Sequence, residues 1–175
     1  MADLTFNTTA GATIEREMLA LYLNTGTSST PIWSPVGKRV TDSSVEMDWN
    51  AETSTDIFGQ TYTRIRKPQQ TQSFDPWELD AGEAAQLRIW NDAIKDKNIA
   101  ALTTYDVLLV HLYAGTANTA MFAERYSSTT IVPTGLGGEG GGDIGMPVDV
   151  TFGGNRTTGT AAINNGVVTF TADAA

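Results

Sequence analysis

One histidine, no cysteine and four tryptophans set narrow limits on the chemistry this 175-residue chain can perform. Without cysteine there are no disulfides, no thiolate metal sites and no thiol nucleophile. His111 stands alone, so no histidine pair is available for zinc, and any histidine-based triad must run through it. It lies within the most apolar run of the chain, with Asp106 on the opposite face of an extended strand. It reads as a packed histidine with one hydrogen-bond partner rather than as a general base. No Gly-x-Ser-x-Gly elbow supplies a partner serine. Gly135-Leu136-Gly137-Gly138-Glu139-Gly140 repeats the dinucleotide spacing, which works only between a parallel strand and a helix N-terminus. Pro133 precedes it, and Asp143, Gly145 and Pro147 follow, so it reads as a flexible loop. Asp42, Glu46, Asp48, Glu52 and Asp56 are oxygen donors without the Asp-x-Asp-x-Asp-Gly spacing of a calcium loop. They read as solvated surface. The expectation is a protein that is not an enzyme and uses no cofactor and no metal.

The balance of 11 Lys plus Arg against 20 Asp plus Glu, net −9, has the wrong sign for gripping DNA through its phosphates. Hydrophobic content of 41% and charged content of 18% fit one globular domain with a proper core. No apolar run reaches membrane-span length. Met1–Phe6 lacks the basic start and apolar stretch of a signal peptide. The expectation is a chain made and kept in a cytoplasm, or released from it by lysis.

The charges are polarised along one unit, residues 36–98. Val45-Glu46-Met47-Asp48-Trp49-Asn50 alternates strictly, which predicts a strand with one buried face and one carboxylate-bearing face. The polar stretch Ala51–Gln60 follows, and then Thr61–Lys67 returns with Arg64, Arg66 and Lys67 close together. These bases neutralise the acidic run within or between subunits. Asp75-Pro76-Trp77-Glu78 and Asp80-Ala81-Gly82-Glu83 both have capping-box spacing. The first reads as a turn and the second as the start of a helix over about 80–98. Its stripe Ala84, Leu87, Trp90 and Ile94 is predicted to pack on the sheet.

Around this unit, residues 1–13 read as a flexible arm, and Arg16–Asn24 as a strand or a short helix. Tyr105–Tyr113 is apolar on both faces, which predicts a central strand. Met121–Ser127, Thr129–Val132 and Val148–Phe152 are further strand candidates. Gly135–Gly145 has seven glycines in eleven residues and reads as a loop. Asn164-Asn165-Gly166 between Thr160–Ile163 and Val167–Thr171 is a hairpin signal. The fold class expected is mainly β, with one flanking amphipathic helix and long loops. Residues 14–175 then form a single domain.

In order and texture, most of residues 14–175 resembles the major tail tube proteins of long-tailed bacteriophages. The resemblance is carried by Pro35-Val36-Gly37, the Val45–Trp49 strand with its long polar loop, and the Arg64–Lys67 return. Phe74-Asp75-Pro76-Trp77 before one helix, the strand Val107–Tyr113 and the glycine-rich late loop continue it. It implies a β-sandwich or half-barrel shared with contractile-tail and type VI secretion tubes. It also implies stacked hexameric rings that form a virion tail tube, assembled in the host cytoplasm, through which double-stranded DNA passes. Tape measure and tail terminator proteins would be the partners. On that reading Glu46 and Asp48 face the lumen, where an acidic lining keeps DNA mobile. Glu52, Asp56, Arg64, Arg66 and Lys67 then make contacts between subunits or rings. The alternative is a β-sandwich adhesion or ligand-binding module on a virion or cell surface, using exposed Trp33 or Trp77.

Overall fold

The computed structural model describes residues 4–174. Nine of its strands form one curled antiparallel sheet, a half-barrel flanked by a helix of 12 residues. The strands in chain order are β1 Leu19–Asn24, β2 Trp33–Val36, β3 Val45–Asp48, β4 Glu52–Thr55, β5 Thr61–Arg64 and β6 Gln69–Phe74. After the helical segment come β7 Tyr105–Thr116, β8 Ala120–Pro133, β9 Val148–Thr151, β10 Asn155–Asn164 and β11 Val167–Ala172. Arg16–Met18 is a 3-10 turn that leads into β1, so the segment Arg16–Asn24 begins as a turn and continues as a strand.

β8 decides the architecture. Its residues 121–127 pair with β10, and its residues 130–133 pair with β9. Between them Ser128 has φ of +64°, a left-handed conformation that turns the strand. A long sheet, β2-β1-β7-β8-β10-β11, and a short sheet, β8-β9-β6-β3, therefore share one continuous strand. The long sheet curls until Trp33 on β2 and Val168 on β11 enter one apolar cluster with Leu108, Val110 and Met121. On the other face of β7, Val107 and Leu109 join the main core with Leu21, Leu23, Phe74, Trp77, Ile89 and Val150. β7 is thus buried on both faces, as its unbroken apolar run requires. Asn165 and Gly166 at φ of +50° and +80° make the β10–β11 turn, the geometry that an Asn-Gly pair favours.

The helix α1 spans Ala84–Trp90 and continues as a wide π turn over Asn91–Lys95, with one further turn, α2, at Ile99–Leu102. Asp80 does not cap it: its carboxylate accepts from the Gly82 N–H at 2.9 Å and closes the preceding turn. The face turned to the core is Ala85, Gln86 and Ile89, not the expected stripe, and Leu87 is 56% exposed. Trp90 is half-buried and packs against the main core, and Ile94 is half-buried. Gln86 can occupy the core because both ends of its amide are satisfied. Its oxygen accepts from the Asp80 N–H at 2.8 Å, and its nitrogen donates to the Glu78 carbonyl at 2.7 Å.

Two more segments differ from the expectation. The polar stretch after β3 is no simple loop, because Glu52–Thr55 and Thr61–Arg64 form their own two-stranded ladder. The base of the glycine-rich loop is pinned by a pair of bonds between Gly137 and Gly145, at 3.0 and 2.7 Å. Of the expected arm, residues 1–3 lie outside the described part. Thr5 and Asn7 bond to the backbone of β7, and Phe6 sits edge-on to Tyr113 at 5.3 Å.

Truncating the core side of the helix should be far more costly than truncating its outer side. Ile89→Ala is expected to lose about 2–5 kcal/mol of stability, whereas Leu87→Ala should stay within about 0.5 kcal/mol. Urea unfolding of both variants checks this, and equal losses would reverse the assigned helix face.

Candidate functional site

Three surfaces are built from the segments singled out by sequence. The first is the outer face of the short sheet. Pairing of Glu46 with Thr71, Asp48 with Gln69, Ser73 with Asp149, and Thr151 with both Thr71 and Thr130 places these side chains together. Three carboxylates, Glu46, Asp48 and Asp149, stand there among threonine, serine, glutamine and the exposed Val132. None of the paired residues on this face is a lysine or arginine. Ser73 donates to the Asp149 carboxylate. β3, which bears Glu46 and Asp48, is the last strand of the sheet, so its outer edge leaves backbone donors and acceptors without a strand partner.

The second surface is the β4–β5 hairpin, whose strands are exposed throughout. With no side chain to bury, it is held by its ladder and by threonine rungs, Thr53–Thr63 at 3.2 Å and Thr55–Thr61 at 3.3 Å. Glu52 and Arg66 meet at 3.0 Å across its base, so this pair neutralises itself within the subunit. Arg64 lies over the Tyr62 ring at 5.8 Å. Asp56 shapes the tip, and Lys67 lies off the hairpin at the rim of a cleft.

That cleft is the third surface, and its residues were not grouped by sequence reasoning. It opens between the two sheets with a volume of about 630 Å³. Met47 and Trp49 wall one side, at 50% and 51% exposure, where the alternating pattern predicts a buried face. The pattern reports their phase correctly, but the opposite sheet stops short of covering them. Phe122, Tyr126 and Phe152 add aromatic surface. On the floor, Glu124 is buried between His111 Nε2 at 3.2 Å and Arg156 Nε at 2.5 Å. Burial alone would raise the Glu124 pKa, but hydrogen bonds and charge from His111 and Arg156 outweigh it and hold the carboxyl below its ordinary value. His111 Nδ1 lies 2.8 Å from the Tyr113 hydroxyl. Both ring nitrogens are engaged, so the histidine ties β7 to β8, and Glu124 carries the link on to β10 through Arg156. Tyr126 donates to Gln70 at 2.5 Å, and burial followed by the Glu124 charge pushes its hydroxyl up to about 12. Asp106 pairs with Arg125 on the opposite face of β7, at 2.7 and 2.9 Å.

Trp33 and Trp77, the residues an adhesion module would present, are both buried, and Trp49 is the exposed indole. Among the described residues, no helix is long and apolar enough to cross a membrane. Among the described residues, no group of three or more His, Asp or Glu gathers as a metal site.

No protein-family profile matches the chain, and no characterised protein matches it by sequence. Its fold does match solved structures. The sheath/tube terminator of the extracellular contractile injection system PVC, in the extended state, aligns with a TM-score of 0.53 at 10% identity. That alignment covers 86% of this chain and 99% of the terminator. The sheath-tube complex of the same system gives 0.48 at 9% identity, over 86% and 94% of the two chains. The tube-terminating cap of the anti-feeding prophage gives 0.48 at 13%, over 89% and 96%. The chain shares the fold of the sheath/tube terminator.

Glu124 is a test of the cleft floor. A carboxyl held below its unfolded pKa contributes stability fully above the ordinary glutamate value, about 4.3, and loses it as pH falls through the folded value. Glu124→Gln should therefore be less stable than wild type at pH 7, and the gap should narrow at pH 3. Denaturant midpoints at both pH values check this; an unchanged gap would show that the charge of Glu124 contributes nothing.

Proposed function

We propose that this chain is a structural subunit of a phage-like tail tube, in which copies close into rings and the rings stack into a conduit. The observation that carries the reading is the outer face of the short sheet, acidic without a cation and bordered by the open strand edge of β3. Lateral addition at that edge satisfies backbone groups that would otherwise promote indiscriminate pairing. It also lines up Glu46, Asp48 and Asp149 of successive copies around one channel. Each neutralised phosphate would add affinity through counterion release, so a lining without cations leaves DNA hydrated and free to move. Six subunits per ring, passage of double-stranded DNA, and contact with tape measure and terminator proteins of the same virion complete the reading. In it the protein resides in the tail after assembly in the host cytoplasm and acts structurally rather than catalytically.

A second reading is favoured by the terminator likeness: a ring that ends a tube instead of extending it. Electron microscopy of purified protein at rising concentration separates the two. Long stacked tubes support the tube subunit, single unstacked rings support the terminator, and a monomer at every concentration rejects both.

Lumen chemistry has its own test. Replacing both acids, Glu46→Lys and Asp48→Lys, should leave the fold intact because both side chains are exposed. Tubes of the double variant should retain duplex DNA and release it with a steep dependence on salt. If they retain no more DNA than wild type, this face does not line the channel.

A further inference from the structure

The hairpin and the inter-sheet cleft are both unexplained within a single chain. The hairpin tip carries the two most exposed large apolar side chains among the described residues, Ile57 at 94% and Phe58 at 81%. They do not sit on a loose loop. Asp56 Oδ1 accepts from the backbone N–H groups of Phe58 and Gln60, each at 2.9 Å, and the Asp56 N–H donates to the Gln60 carbonyl at 2.9 Å. The Gly59 N–H reaches the Asp56 carbonyl at 3.0 Å, with Gly59 at φ of +77°. The turn is closed by its own bonds, and the two side chains are held out to solvent. The cleft is the converse, a cavity walled by Trp49, Phe122 and Phe152 and left open.

We infer that the hairpin tip of one subunit, Ile57 and Phe58, seats in the inter-sheet cleft of a second copy of this chain. The tip does not occupy the cleft of its own chain. Trp49 forms both the hairpin base, where its carbonyl accepts from Arg66, and a wall of the cleft. Ile57 and Phe58 lie beyond the paired Glu52–Thr55 stem and are not among the residues that line the cleft. Knob and cavity, apart within one chain, meet between molecules.

The charges agree. Asp56 keeps one carboxylate oxygen free of the turn, while Lys67 and Arg156 stand at the cleft. The one acid on its floor, Glu124, is already held by Arg156 and His111. Because knob and cavity occupy different places on the subunit, the contact is head-to-tail, the type that propagates into a ring or a filament. The inference rests on the assembly reading above and supplies one of its contacts.

Two variants test it. Ile57→Asp with Phe58→Asp removes the knob at exposed positions. Gly154→Trp fills the cleft at a position where an added side chain meets open space. Sedimentation velocity should show wild type assembling, and each variant associating about a hundredfold more weakly, the scale expected for exposing a large apolar side chain. Thermal melts of the variant monomers should match wild type. Mixed together, the two variants should associate more tightly than either does alone, since the mixture supplies one intact knob and one intact cleft. If either variant assembles as wild type does, the docking is refuted while the tube reading stands on the wild-type assemblies. If the variants lose an association that in wild type never forms rings or tubes, the docking stands and the tube reading falls.

Discussion

An antiparallel sheet must end somewhere, and each end presents a row of backbone donors and acceptors that need partners. Most of this structure is an answer to that constraint. The long sheet curls until β2 and β11 contribute to one apolar cluster around Trp33, Leu108 and Val168, with no ladder joining these two edge strands. β3 ends the short sheet with four residues, three of them exposed, and the hairpin beyond makes only its own ladder. β3 and the hairpin beyond it bear part of the acidic face, the exposed tip and one wall of the cleft.

The polar groups divide between inside and outside. Inside, several polar side chains are tied at more than one point. Gln86 joins the backbone on both sides of Leu79, and Glu124 joins β7 to β10 through His111 and Arg156. Asp106 takes a two-pronged bond from Arg125 and a further one from Asn24. Outside, charge is left unpaired over the whole outer face of the short sheet. A net charge of −9 is therefore not spread evenly, and much of its meaning lies in where cations are missing.

How much of this was legible depended on whether a segment carries its environment in its own residues. β7 could be read because burial on both faces demands an unbroken apolar run, and the β10–β11 turn because Asn-Gly selects one turn geometry. The helix was legible in place but not in phase. Leu87, Trp90 and Ile94 make a plausible stripe, yet the buried side is Ala85, Gln86 and Ile89. Hydropathy cannot foresee a glutamine whose amide is satisfied by the backbone of a distant turn. The first strand of the hairpin, Glu52–Thr55, escaped notice because a strand with no buried face has no alternation to show. Trp49 and Met47 mark the other limit, since alternation gives a strand's phase and says nothing about whether anything lies on top of it. The cleft gathers residues from β7, β8, β10 and the turns around β3 and β9, and no local pattern announces such a meeting.

The bend at Ser128 also has a mechanical meaning. Two sheets joined only by packed side chains can slide over each other, because apolar contacts resist separation far better than shear. Here the same strand runs through both, so a load applied to the short sheet reaches the long one along covalent backbone. Any shear has first to straighten β8 at Ser128 or strip the ladders on either side of it. Load on either sheet is therefore passed to the other through the backbone at Ser128.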